Sequence, residues 1–171
     1  MDKTFDNEQK ERARNAAVHK MENDELLILQ KNIITVDMYL KLRKSVGWKE
    51  LTRKQAQKAL DNSLCTMCVT LAGQPIGMGR LVGDGAVICY IQDLIIHPNA
   101  QGLGVGDLLM KGLIEYVTEM TTDGTEMMLD LMCAKGRETF YERHGFLARP
   151  TQELGPGMIR YIDKRRAKPD N

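Results

Sequence analysis

This sequence has little charge of one sign, few aromatic rings and no long apolar run. Its 24 Lys and Arg stand against 23 Asp and Glu, a formal net charge of +1. Acidic residues interrupt nearly every basic stretch, so the chain lacks the electrostatic footprint of a nucleic-acid binder. No stretch approaches the roughly 18 consecutive apolar residues of a membrane span, and the opening MDKTFDNEQKERAR has no apolar secretory segment. These absences predict a cytoplasmic protein that engages neither nucleic acid nor membrane. The four cysteines, Cys65, Cys68, Cys89 and Cys133, are too few for a disulfide framework and fit a reducing compartment. Cys65 and Cys68 form a CxxC, but no second CxxC or His pair follows, and both lie inside the strand-like LCTMCVTL, so buried thiols are expected and no metal. With aromatics at only 5%, the core must be filled by aliphatic side chains and by the eleven methionines, which adapt readily to irregular gaps.

What is present suffices for one domain: 171 residues, 43% of them apolar. Residues 1–25 carry five basic and seven acidic side chains and little to bury; they read as a flexible extension, partly helical between Glu8 and Lys20. Residues 26–171 read as the single domain. Leu26 to Gln30 is a short apolar run, followed by a helix capped by Thr35 with Met38, Leu42 and Val46 at helical spacing. Thr52-Arg53-Lys54-Gln55 has capping-box spacing and starts a second helix. LCTMCVTL, IGMGRLV and AVICYIQDLII, separated by Ala72-Gly73-Gln74-Pro75 and Gly83-Asp84-Gly85, predict a three-stranded antiparallel meander. Val105, Leu109, Leu113, Val117 and Met120 predict a helix with one face on the sheet. EMMLDLMC reads as a further strand, RETFYERH as a short helix ended by Gly145, and FLARP with GMIRYID as a final strand pair. The fold class is α/β, of the mixed α+β kind, with a central, mostly antiparallel sheet flanked by helices.

The chemistry concentrates in Ile91-Gln92-Asp93-Leu94-Ile95-Ile96-His97-Pro98-Asn99-Ala100-Gln101-Gly102-Leu103-Gly104-Val105-Gly106. Three glycines at alternate positions, between a buried strand and the first turn of a helix, let a ligand come close to backbone N–H groups. The positive end of the helix dipole adds on the order of 1 kcal/mol for an anion there. A dinucleotide fingerprint starting at Gly102 fails, because Asp107 stands where the third glycine is needed, and no P-loop string exists. The spelling Gln101-Gly102-Leu103-Gly104-Val105-Gly106, after an apolar strand ending in His-Pro and about 35 residues before Phe140-Tyr141-Glu142-Arg143-His144-Gly145-Phe146, resembles the GNAT superfamily of acetyl-CoA-dependent N-acetyltransferases. The resemblance runs from about Leu26 to Asp163.

That resemblance implies a twisted GNAT-like sheet, acetyl-CoA as acetyl donor, and direct transfer to a primary amine of a small molecule. It implies that backbone groups of Leu94, Ile95 and Ile96 pair with the pantetheine arm as an extra strand would. Gln101, Gly102, Leu103, Gly104, Val105, Gly106 and Asp107 hold the diphosphate, with the Asp107 carboxylate turned away. Lys111, Lys135 or Arg137 meets the 3′-phosphate. Leu94 N–H faces the acetyl oxygen, and Tyr141, beside the sulfur, gives a proton to the departing thiolate. Several family members carry a Glu where this chain has Gln92, an amide that cannot take the ammonium proton; Asp93 is the nearest carboxylate, on the opposite face of the strand unless a bulge resets the register. Ala134 replaces an asparagine that many members use for the pantetheine, leaving backbone or Lys135 to bind there. The acceptor site is framed by Tyr39, Leu42 and Trp48, with Gln92 and Asp93 on the strand and Met158 or Tyr161 near the C-terminus. The departures at Gln92 and Ala134 keep open an alternative, a non-catalytic CoA-binding or interaction module of the same fold. The ends of the final strand pair leave a symmetric homodimer open.

Overall fold

A computed structural model describes the backbone of residues 16–20 and residues 26–162 in full. The chain divides into a larger unit ending at Leu131 and a smaller one beginning at Met132. In the larger unit the order is β1 (Ala16–Lys20), β2 (Leu26–Lys31), α1 (Val36–Ser45), α2 (Arg53–Asp61), β3 (Cys65–Leu71), β4 (Gln74–Gly83), β5 (Ile88–Ile96), a 3-10 turn at Pro98–Ala100, α3 (Val105–Met120) and β6 (Met128–Leu131). The six strands form one sheet in sequence order. Every neighbouring pair is antiparallel except β5 with β6, which run parallel with α3 as the connection.

The meander forms where β-prone runs are cut by turn residues, as at Ala72 and Gly73, which take φ of 47° and 74°. Both predicted helix starts are present. The Thr35 hydroxyl accepts from Met38 N–H, and Thr52 with Gln55 completes a reciprocal capping box. The meander glycines have a packing reason. Residues on β4 alternate faces, and a Cβ at Gly77 or Gly79 would come within 2.6 Å of Val105 Cγ1 or 2.7 Å of Leu113 Cδ1. These positions are therefore bare so that α3, itself thinned at Gly112 against Leu29 and Met67, can lie directly on the sheet. Val105, Leu109, Leu113 and Val117 are buried there, and Met120 is partly so. On the other face Tyr39, Leu42 and Ala56 from α1 and α2 pack with Met78 and Ile95. Cys65 and Cys68 are sealed in β3, where burial pushes their thiols up to about 11 and about 12.

Two expectations change. Ala16–Lys20 is not helix or flexible extension but an edge strand, paired with β2 from Ala16↔Gln30 to Lys20↔Leu26. The apolar run in β2 left an unpaired edge, and five residues suffice to cover it. The remainder of the expected extension, residues 1–15 and 21–25, lies outside the described residues. In the smaller unit α4 (Glu138–Glu142) is present, and Gly145 ends it at φ 86°. FLARP and the described part of GMIRYID are not strands. Pro150 and Pro156 lack the N–H a ladder needs, and Met158, Ile159, Tyr161 and Ile162 are exposed. The strand ends on which a homodimer would rest are thus absent among the described residues.

Candidate functional site

The site begins where the sheet opens. β6 pairs with β5 only from Ile88↔Met128 to Ile91↔Leu131, while β5 continues to Ile96. Beyond Ile91 that edge of β5 has no partner strand among the described residues. His97 N–H bonds Ile76 C=O on the β4 side at 2.8 Å, so by alternation the N–H and C=O of Ile96 are directed to the open edge. An extended, uncharged chain can add itself to such an edge.

At the head of that edge β5 is bulged. Arg80 pairs with Gln92 and Met78 with Ile95, which leaves Asp93 and Leu94 opposite the single residue Gly79. Asp93 takes a left-handed φ of 58°. The bulge turns two successive side chains, Gln92 and Asp93, to the α1–α2 face, and Gln92 Nε2 donates to Asp93 Oδ1 at 3.2 Å. The separation by strand alternation is therefore overturned by the condition that could overturn it.

Asp93 is buried with its carboxylate fully engaged. Tyr39 Oη donates to Oδ2 at 2.5 Å, Arg43 Nη1 to Oδ1 at 2.8 Å and Arg80 Nε to Oδ2 at 3.0 Å. Arg80 also donates to Ala59 C=O and Ser63 Oγ, tying β4 to the end of α2. Arg43 donates to Lys49 C=O and lies over the rings of Tyr39 and Trp48. Burial first, and then the Asp93 carboxylate, push the Tyr39 phenol up to about 12, so it remains a donor. Tyr39 and Asp93 thus do not present side chains to an acceptor, as the sequence reading has them do; they are bonded to each other inside the unit. Leu42 is likewise core, and of the expected acceptor residues in this unit Trp48 is exposed and Gln92 partly so. Arg43 and Arg80 were not legible as site residues, since an arginine in a polar helix or a strand reads as solvated charge.

Past β5 the chain makes the glycine turn. Gly102 and Gly104 take φ of 82° and 77°, and an added Cβ at either would meet no protein atom within 4 Å. Left-handed geometry, not crowding by the protein itself, requires glycine here, and the space before the turn is open. Gly104 is the N-cap of α3 and gives no side-chain cap. The amides of Val105 and Gly106 belong to the first turn, which has no intrahelical acceptor for them. Asp107 sits in the same turn, where the dipole favours its charge. Lys111 is exposed along α3.

In the smaller unit Lys135 and Arg137 are exposed, and Tyr141 on α4 sits edge-on to Phe140 at 5.0 Å and to Phe146 at 6.2 Å. Met158 and Tyr161 are almost fully exposed. Among the described residues no group of three His, Cys, Asp or Glu side chains is placed to hold a metal ion, and no helix is long and apolar enough to cross a membrane.

Comparison with known proteins identifies the family and the fold. A family model described as an acetyltransferase (GNAT) domain matches residues 63–147. The chain is 31% identical over 134 residues to an uncharacterised, ycf52-like N-acetyltransferase of Prochlorococcus marinus, covering 75% of this chain and 72% of that one. It is 30% identical over 73 residues to the chloroplastic serotonin N-acetyltransferase 2 of Oryza sativa subsp. japonica, or 40% of this chain and 36% of that one. Among solved structures, a probable acetyltransferase from meticillin-resistant Staphylococcus aureus superposes with a TM-score of 0.69 at 29% identity, covering 79% of this chain and 99% of that one. A GNAT-family acetyltransferase from Streptococcus pneumoniae gives 0.68 at 28% identity, covering 81% and 98%.

Proposed function

Because the chain belongs to the GNAT family of acetyltransferases, we infer that it moves the acetyl group of acetyl-CoA to a primary amine of a small molecule, by direct transfer without an acyl-enzyme. The observation that carries this reading is the open edge of β5 beyond Ile91, leading straight into a glycine turn at a helix start. A ligand with a long, amide-bearing arm and a diphosphate fits both features, the arm along the edge and the phosphates before the turn. When bound, acetyl-CoA supplies an acetyl group already activated as a thioester.

The chain's own residues then have these roles. Leu94, Ile95 and Ile96 hold the arm through backbone groups, and Gln101 through Asp107 hold the diphosphate. Leu94 N–H, at the bulge, stabilises charge on the acyl oxygen. Tyr141 would donate its phenolic proton to the sulfur as the C–S bond breaks and the amine nitrogen bonds to the acyl carbon, the proton lost by that nitrogen returning to the phenolate through water. Gln92 cannot accept a proton, and the Asp93 oxygens are occupied by Tyr39, Arg43, Arg80 and Gln92. The acceptor therefore reacts as its neutral fraction or passes its proton to water. Trp48 offers an exposed ring as one wall for the acceptor, and the rice relative's name makes an arylalkylamine such as serotonin the first amine to try.

The test is a panel of amines incubated with acetyl-CoA, with free thiol read out and product mass confirmed. Thiol release dependent on one amine class is expected. The engaged Asp93 and the amide at Gln92 favour one second reading, a CoA-binding module without catalysis, which predicts tight acetyl-CoA binding and no release above hydrolysis. Tyr141→Phe is expected to lower kcat about tenfold with acetyl-CoA affinity nearly unchanged, less than the roughly hundredfold or more of a well-matched proton donor, because a phenol is a weak acid beside a thiol. An unchanged kcat removes Tyr141 from the acid role.

A further inference from the structure

The carboxylate that cannot serve as a base has another use. We propose that Asp93 is a positioning residue: clamped by Tyr39, Arg43 and Arg80, it holds the β5 bulge and so aims the Leu94 N–H at the acyl oxygen. The proposal rests on the acetyl-transfer reading above.

The argument starts from the backbone. Leu94 N–H belongs to the peptide plane that begins at the Asp93 carbonyl, so the Asp93 dihedrals set where that N–H points. Those dihedrals are unfavourable for a residue with a Cβ, by about 1–2 kcal/mol, and such a conformation persists only when its surroundings over-determine it. Here the surroundings do so. Asp93 is 4% exposed and accepts from two residues of α1, one of β4 and its own neighbour Gln92. Relaxing the bulge would pull the carboxylate from two guanidinium groups that are themselves nearly buried, at 13% and 10% side-chain exposure. Stranding those charges is costly, so the clamp locks the strained backbone in place. Arg80 extends the brace to α2 through Ala59 and Ser63. A donor meant for a developing oxyanion gains most when it need not reorganise during the reaction.

The experiment compares wild type, Asp93→Asn and Tyr39→Phe in two ways. The first is the amide resonance and hydrogen exchange of Leu94 in the protein without acetyl-CoA. The second is kcat and the KM for acetyl-CoA with the best amine of the panel. Asp93→Asn is expected to shift the Leu94 resonance and speed its exchange while Leu109 to Leu113 in α3 stay put, and to lower kcat about tenfold with KM within about twofold, as a small misplacement of a catalytic group does. Tyr39→Phe, which removes one hydroxyl and leaves both ion pairs, is expected to act in the same direction, about threefold in kcat. An unmoved Leu94 resonance in both variants, or kcat retained in both, overturns the proposal. A loss confined to KM overturns it too. Should Asp93→Asn fail to fold, Tyr39→Phe alone decides by the same readouts. A wild type that releases no thiol with any amine sinks the acetyl-transfer reading instead, and the Leu94 resonance then settles whether Asp93 holds the bulge.

Discussion

Gly104→Val is expected to weaken acetyl-CoA binding by roughly a hundredfold or more while leaving the fold intact. Gly104 is at φ 77° with nothing of the protein within 4 Å of where a side chain would start. A β-branched residue there resists the left-handed region and projects into the open space before the turn, where the proposed diphosphate would lie. Losing one or two hydrogen bonds to a charged ligand costs about 3 kcal/mol, which is two orders of magnitude in Kd. Titration calorimetry with acetyl-CoA measures it, and circular dichroism confirms the unchanged helix content. Binding retained within about threefold means that the diphosphate does not use this turn.

Gly83→Ala should have the largest effect on stability. Gly83 ends β4 at φ 147°, and a Cβ there would lie 2.2 Å from Ile88 O and 3.0 Å from Cys89 Cα, both backbone atoms paired across the same hairpin. Neither can yield without breaking the β4–β5 ladder, so a loss of about 3 kcal/mol or more is expected, in the range of strained-backbone substitutions. For a chain of this size that lowers Tm by roughly 6–12 °C. Gly73→Ala is the control: φ is also positive, at 74°, but nothing lies within 4 Å, so only the conformational penalty of about 1 kcal/mol applies. Equal losses in the two variants would show that crowding at Gly83 is relieved by a hairpin shift. The adjoining turn is braced by Asp84, whose carboxylate accepts from the amides of Ile88, Ala86 and Val87 and is held below its usual range by them. Its support is present above the usual carboxylate range and fades as pH falls through the depressed folded value.

Where local chemistry decides structure, the sequence was readable. Thr52 and Gln55 define a helix start by themselves, and the glycines at 102 and 104 announce a turn that needs left-handed residues. The bulge was not readable, because Gln92-Asp93-Leu94 has the spelling of an ordinary strand and its register depends on Gly79, which is distant in sequence. One clue existed, an aspartate amid apolar strand residues; the Arg80 that meets it is recognisable only once the β4–β5 pairing is known. Arg43 and Tyr39 join them only through tertiary packing of α1. β1 is not legible in the sequence because its five residues sit among charges and gain order from the edge of β2. The apolar content of FLARP and GMIRYID does not make strands, since alternation without a pairing partner does not make a sheet.

The four sulfhydryls are distributed so that the protein can be addressed at a single point. Cys65, Cys68 and Cys89 are enclosed, whereas Cys133 is open to solvent. A maleimide dye should therefore couple with unit stoichiometry in the native state, near the start of the smaller unit, without mutagenesis. The same residue will consume one equivalent of any chromogenic disulfide reagent used to follow CoA release, so a continuous assay needs that burst subtracted or Cys133 replaced by serine.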